Sequence, residues 1–291
     1  MRLHVVDGTF ELFRAQYSKR PDRVAPDGMD VKGTVGVVAS MLGLLDDPEE
    51  NVTHIAVAFD NPIESFRNDL FAGYKTGEGM DPVLVAQMDL VEQAVAALGI
   101  TVWSMDTYEA DDALATAAKR WRDQVAQVRI LTPDKDLGQC VTGNRVVQVD
   151  RMRRRVIDED GVRQRNGCDP ASIPDWLALV GDTADGIPGI PGFGAKTASA
   201  LLTRYGTVEA IPAHSANWDV RVRGAIRLAQ TLTEMRTEVA LYKRLAILVE
   251  DVPLAEDLED LRWRGADREQ FERIDRRLGG GTMRPRRWRA G

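Results

Sequence analysis

Val128-Arg129-Ile130-Leu131-Thr132-Pro133-Asp134-Lys135-Asp136 is the stretch that sets the architecture. It opens on a short, mostly aliphatic run, the pattern of a strand buried on both faces in a parallel sheet. Pro133 cannot donate to a sheet ladder, so the strand ends there. Two carboxylates follow, one residue apart. The arrangement recurs along the chain. Leu3–Val6 is followed directly by Asp7, and His54–Phe59 by Asp60. Beyond Ile100–Trp103, where the next helix starts, lie Glu109, Asp111 and Asp112. Val146–Val149 adds another strand. Between these runs the spacing predicts helices. Leu84, Met88, Val91, Val95 and Leu98 form one stripe at steps of four and three, and Ala113, Leu114, Ala117, Ala118 and Trp121 form another over about Glu109–Trp121. Strand and helix in alternation predict an α/β fold, with a mainly parallel sheet covered by helices on both faces.

The pattern changes after about Asp150. Helical segments take over at Pro174–Val180, Lys196–Tyr205 and the long stretch Val220–Val249, which places a boundary near Asn166–Pro170. With 44% apolar and 29% charged residues over 291 positions, the chain can bury a large core without staples, which excludes disorder, collagen and coiled coil. The longest apolar stretch, around Val35–Leu45, is about half of the ~20 residues that a membrane-crossing helix needs, so no membrane partner is expected. Two cysteines, Cys140 and Cys168, are too few for a disulfide framework and fit a reducing, cytoplasmic setting. Thirty-eight basic against 45 acidic side chains give a formal charge of −7. Such a balance argues against polyanion binding by the chain as a whole and leaves it to local patches. Two patches stand out: Arg151, Arg153, Arg154 and Arg155 just after the sheet, and Arg284, Arg286, Arg287 and Arg289 beyond Gly279. The second reads as a frayed, solvated end or as a phosphate-contacting arm.

In open α/β sheets, ligands sit outside the carboxyl ends of the strands. Asp7, Asp60, Glu109, Asp111, Asp112, Asp134 and Asp136 are thus expected to converge on one crevice. Asp182 and Asp185 add two more carboxylates in Gly181-Asp182-Thr183-Ala184-Asp185-Gly186. So many like charges raise one another's pKa and destabilise the fold unless they are compensated. Lys135 is the obvious local cation; divalent metal resolves the rest. All-oxygen donors suit Mg²⁺ or Mn²⁺, and with three histidines in the chain, none beside these acids, zinc is disfavoured. A cluster of this size fits two cations about 4 Å apart.

The run Gly186–Ala198, with glycines at 186, 189, 192 and 194, leads into a helix near Lys196. Glycines let backbone approach a ligand closely, and a helix N-terminus behind them is an anion site. The element resembles a helix–hairpin–helix, which grips DNA phosphates without reading bases.

Taken in order, the motifs identify a family. They are Val6-Asp7-Gly8, Ala58-Phe59-Asp60, Phe66-Arg67 with Tyr74-Lys75, Tyr108-Glu109-Ala110-Asp111-Asp112, Thr132–Leu137, Gly181-Asp182 with Asp185, and Gly192–Ala198. Over about residues 3–255 the chain resembles the 5′-3′ exonuclease and flap endonuclease family, close to the amino-terminal nuclease domain of bacterial DNA polymerase I. The resemblance implies a PIN-like (Rossmann-like) nuclease domain over 1–168 with a helical arch near 66–88. A helical helix-3-turn-helix DNA-binding domain over 169–255 and a C-terminal extension over 256–291 would follow. It implies a stand-alone, structure-specific 5′ nuclease of replication and repair, nucleoid-associated, acting by two-metal catalysis on DNA with 5′ flaps, 5′ overhangs or duplex ends. One metal would be held mainly by Asp7, Asp60, Glu109 and Asp111, the other by Asp112, Asp134, Asp136, Asp182 and Asp185. Lys75 would contact the scissile phosphate, with Arg67 and Tyr74 supporting the strand. Gly189, Gly192, Gly194, Lys196 and Thr197 would hold the duplex, commonly with K⁺. One departure matters: Thr76-Gly77-Glu78-Gly79 puts Glu78 near where the family has an arginine. It motivates the alternative of a DNA-binding protein with weak or absent cleavage. A haloacid-dehalogenase-type phosphatase fits less well, because with Asp7 as its second aspartate the nucleophile position falls on Val5, which cannot attack phosphate.

Overall fold

The computed structural model describes residues 1–290, which fold into two compact units. Met1–Glu64, Gly77–Thr132 and Glu250–Gly291 form the first; Ser65–Thr76 and Pro133–Val249 form the second. This grouping is not a linear division near Cys168: a strap from the arch region joins the second unit, and the C-terminal segment joins the first.

The first unit is built on β1 (Arg2–Asp7), β2 (His54–Asp60), β3 (Thr101–Met105) and β4 (Gln127–Leu131), all parallel, in the order β3-β2-β1-β4. The registers Val5↔Ala56 and Val5↔Ile130 bring fully buried aliphatic residues side by side. Parallel strands ending level place Asp7 beside Ala58, two residues before Asp60. Gly8, the first residue of the helix Gly8–Gln16, packs so tightly on the Phe59 ring that a Cβ there would clash with it.

The stripe Leu84–Leu98 is divided into Pro82–Val85 and Met88–Ala97. The helix Lys32–Leu45 has no side-chain cap of its own, and the interruption supplies one. Buried Gln87 accepts from Thr34 N at 2.9 Å, while Gln16 accepts from Gly33 N at 2.8 Å. The tail is not frayed over its described residues. Thr282 N donates to Asp275, the Trp288 ring meets Phe271 edge-on at 5.6 Å, Arg286 pairs with Asp46, and Arg287 lies over Trp263. An anchored aromatic residue holds these arginines against the first unit.

A buried polar trio under β1 makes this unit acid-sensitive. His4 Nε2 lies 3.0 Å from Glu50 Oε2, and Arg129 Nε lies 2.8 Å from the same oxygen. The hydrogen bond from His4 and the charge of Arg129 hold Glu50 down at about 2. Burial holds His4 below its ordinary value, and its Nδ1 has no partner, so charging it would bury an unmet donor. Both groups bind protons more readily when unfolded. The stability they contribute is therefore full above about pH 6.5 and lost as pH falls toward 2. Denaturant titrations at pH 7 and pH 3.5 should differ by about 0.5–1 kcal/mol from Glu50 after solvent screening, and Glu50→Gln should remove most of that difference.

The second unit carries the antiparallel pair β5 (Val146–Asp150) and β6 (Arg155–Ile157), whose exposed turn holds Arg153 and Arg154. Helices Glu159–Asn166, Ile173–Val180, Ala195–Tyr205, Ala225–Glu234 and Arg236–Ala246 make up its body. The expected long helix Val220–Val249 is two helices, and residues 220–224 lie outside both. Its core includes Ile173, Leu177, Leu179, Ile187, Ile190, Phe193, Leu201 and Leu245. No helix among the described residues is long and apolar enough to cross a membrane.

Candidate active site

The nine expected acids divide between the units. In the first, Asp7 caps the helix after β1, accepting from Phe10 N at 2.8 Å, and its other oxygen accepts from Thr132 Oγ1 at 3.0 Å. Asp60 N donates to Thr9 Oγ1 at 2.8 Å, and Asp60 Oδ1 accepts from Ala110 N at 2.7 Å. The end of β2 is thereby stitched to the start of the helix Ala110–Trp121, which carries Asp111 and Asp112 in its first turn. Asp112 is fully buried and turns back to accept from Glu109 N at 3.0 Å. Hydrogen bonds at the strand ends thus fix the carboxylates of Asp7 and Asp60, and a capping box fixes Glu109 and Asp112.

In the second unit, carboxylate oxygens of Asp136, Asp182 and Asp185 lie within 4.8 Å of one another. Asp134 stands next to them in the chain and accepts from Asp136 N at 2.9 Å. Two lysines face the set. Lys135 Nζ pairs with Asp182 Oδ2, and Lys75 Nζ with Asp185 Oδ1 at 3.0 Å. Burial opposes the charge on Lys135, but the hydrogen bond to Asp182 and the charges of Asp136 and Asp134 hold its pKa above the ordinary value. Burial, then the charges of Asp134, Asp185 and Asp182, push Asp136 well above the usual carboxylate range. Its Oδ1 is buried and has no hydrogen-bond partner. A buried oxygen without a donor, two further carboxylates at ligand distance and no nitrogen or sulfur ligand form a donor set suited to a hard divalent cation.

Backbone geometry holds this set. Asp182 and Ile187 exchange hydrogen bonds of 2.8 Å in each direction across the turn, and Asp182 Oδ1 accepts from Ala184 N at 2.9 Å. Gly181 and Gly189 have positive φ and sit backbone against backbone, where a side chain would not fit. The turn continues through exposed Gly192 and Gly194 into the helix Ala195–Tyr205. Lys196 is exposed and Thr197 half-buried in its first turn. The unit with this turn carries 18 basic against 15 acidic residues, whereas the other carries 20 against 30. The excess of positive charge is where the glycine turn is.

Two of the expected strand-contacting residues have other work. Arg67 is 1% exposed and donates to the carbonyls of Leu245 at 2.9 Å and Ile247 at 3.1 Å, around the end of the helix Arg236–Ala246. Tyr74 is buried in the core of the second unit. The segment 66–88 is not one helix: Phe66–Leu70 and Pro82–Val85 flank residues without helical structure. Glu78 lies exposed in that stretch. Sequence reasoning missed Arg165, which donates to Lys135 O at 3.2 Å and Gln148 Oε1 at 3.0 Å and lies near enough to Asp134 and Asp136 to feel their charge. Nothing in its local sequence sets it apart from the neighbouring arginines.

Residues 2–167 match the family model described as 5′-3′ exonuclease, N-terminal resolvase-like domain, and residues 168–269 match 5′-3′ exonuclease, C-terminal SAM fold. The chain belongs to the 5′-3′ exonuclease family. Among relatives of this family, DNA polymerase I of Bacillus caldotenax is 32% identical over 96% of the chain, which spans 31% of that protein. The 5′-3′ exonuclease of Aquifex aeolicus is also 32% identical, over 91% of this chain and 88% of its own length. The chain thus spans about a third of the polymerase relatives it matches and most of the Aquifex exonuclease. A bacteriophage T5 flap endonuclease, solved in complex with DNA and metal ions, matches at a TM-score of 0.65 and 17% identity, covering 96% of this chain and all of that one. The resemblance read from the motifs and the two-part α/β and helical architecture both hold.

Proposed function

We propose that the chain is a structure-specific 5′ nuclease that hydrolyses DNA phosphodiesters at 5′ flaps, 5′ overhangs and duplex ends. The observation that carries this is the second-unit set: Asp136, Asp182 and Asp185 at ligand distance, one buried oxygen without a partner, and Lys75 on Asp185. Asp7, Asp60, Glu109 and Asp111 would hold one divalent cation. Asp136, Asp182 and Asp185, together with Asp112 and Asp134, would hold the other, Mg²⁺ or Mn²⁺ in both cases. Such cations supply an acidified water and neutralise charge that develops on the phosphoryl group.

The chain's own residues do the rest. The glycine turn at Gly189, Gly192 and Gly194, the last two exposed, takes phosphates of the duplex with Lys196 and Thr197, and K⁺ serves as an accessory ion. Lys75 shifts from Asp185 to the scissile phosphate, where an ammonium stabilises the transition state's charge. Arg67 and Tyr74 act beneath this surface, fixing the strap that bears Lys75. The setting that fits such a substrate is the cytoplasm, beside the nucleoid.

The test is cleavage of a labelled 5′-flap duplex and a blunt duplex with Mg²⁺, with Mn²⁺ and with chelator. Cutting near the flap junction that chelator abolishes is the expected result. Tight flap binding without cutting under either metal would replace this reading with that of a binding protein, and Glu78→Arg would then be the first variant to make.

A further inference from the structure

Three carboxylates meet two ammonium groups in the second unit, and the two lysines are not equivalent. Lys75 is tied to Asp185 through its main chain as well, with Lys75 N donating to Asp185 O at 3.0 Å. Its main chain therefore stays beside that residue even when its ammonium moves away from Asp185 Oδ1. Lys135 is different. Its main chain is fixed from the other side, by Gly138 N at 3.0 Å and Arg165 at 3.2 Å on its carbonyl oxygen. Its side chain is about a third exposed and reaches across to Asp182 Oδ2. The other Asp182 oxygen is committed to Ala184 N. Lys135 thus covers the Asp182 oxygen that no backbone amide holds, beside the unpartnered Oδ1 of Asp136.

From this juxtaposition we propose that Lys135 is a positioning residue that acts as an internal counter-ion. It competes with the divalent cation for Asp182 and so sets the cation concentration at which this carboxylate set fills. The inference rests on the reading of Asp136, Asp182 and Asp185 as cation ligands. An ammonium and a metal ion repel one another across one carboxylate oxygen, so cation entry favours a swing of Lys135 toward solvent, which its exposure permits. Until then, two lysines reduce the charge of the three carboxylates from −3 to −1. That lessens their mutual repulsion and their repulsion of a phosphate backbone. The residue makes the site weaker for the cation and safer without it.

Mn²⁺ binding to the full chain, read by electron paramagnetic resonance of free Mn²⁺ without DNA, tests this. Lys135→Met should tighten one class of Mn²⁺ site by about tenfold, a coupling of ordinary size between competing ligands. It should also lower the Mg²⁺ concentration for half-maximal cleavage. Lys135→Arg, which keeps the charge, should stay within about threefold of the parent, a rescue that loss of packing alone would not give. Asp136→Asn should weaken the same class. If Lys135→Met leaves Mn²⁺ affinity unchanged or weaker while Asp136→Asn weakens it, the counter-ion role is wrong and the ligand assignment stands. If Asp136→Asn leaves Mn²⁺ binding unaltered, the ligand assignment has failed, and this inference with it.

Discussion

Asp182→Asn should lower metal-dependent cleavage of a 5′-flap duplex on the order of a thousandfold, with duplex binding within about threefold of the parent. The two effects separate because Asp182 does two jobs with different atoms. Its main chain closes the turn by exchanging hydrogen bonds with Ile187, and its Oδ1 accepts from Ala184 N. Asparagine keeps the main-chain bonds and an oxygen for Ala184, so the glycine turn that follows keeps its shape. The change removes the negative charge at Oδ2, where Lys135 now pairs and where a cation would be held. With one of the three carboxylates neutral and the residue only 7% exposed, solvent does little to replace the lost charge. On the proposed reading, duplex binding relies on the exposed turn at Gly192 and Gly194 and on Lys196, none of which contacts Asp182. Single-turnover cleavage and equilibrium binding in Ca²⁺, measured on one preparation, check both halves. Cleavage within tenfold of the parent would remove Asp182 from the site.

The places of the acids were legible in the sequence because they depend on position along strands. A parallel sheet has one carboxyl edge, and in the first unit the ends of β1, β2 and β3 lead into Asp7, Asp60 and Glu109–Asp112. Once the strands were read, Asp7, Asp60 and the Glu109–Asp112 turn followed. The glycine turn was legible for a related reason: positive φ leaves few alternatives to glycine. What stayed hidden were long-range uses of ordinary side chains. Arg67 lies among motif residues and reads as a phosphate contact, yet its guanidinium goes to two carbonyls about 180 positions along the chain. Gln87 sits on a good helical stripe, and nothing local says that its amide will cap a helix that starts at Lys32 and so end the stripe early. Trp288 in a Gly- and Arg-rich tail reads as a fraying end until its partner, Phe271, is known. Each case turns on a partner fixed by tertiary structure, which periodicity does not encode.

Gly186→Ala should be the most damaging small substitution in the second unit, costing more than about 3 kcal/mol of stability and about a hundredfold in cleavage. Gly186 has φ +75°, which alone makes an L-residue unfavourable by about 1 kcal/mol. The steric cost is greater. A Cβ there would overlap the carbonyl oxygen of Gly73 and lie 3.2 Å from its carbon and 3.5 Å from Lys75 N. These are backbone atoms that cannot rotate away, so the strap Gly73–Lys75 must move outward. The movement strains the bond from Lys75 N to Asp185 O and carries the Lys75 ammonium off Asp185 Oδ1. Stability and catalysis therefore fall together, because one close approach both packs the strap and aims the lysine. Gly224→Ala is the matched control: its φ is +76° in the left-handed region, but nothing lies within 4 Å of a Cβ there. It should lose about 1 kcal/mol and leave cleavage unchanged. Urea unfolding and single-turnover cleavage of both variants measure the steric part as the difference between them. Equal stability of the two would mean that the strap does not pack on Gly186, and the aiming of Lys75 would need another cause.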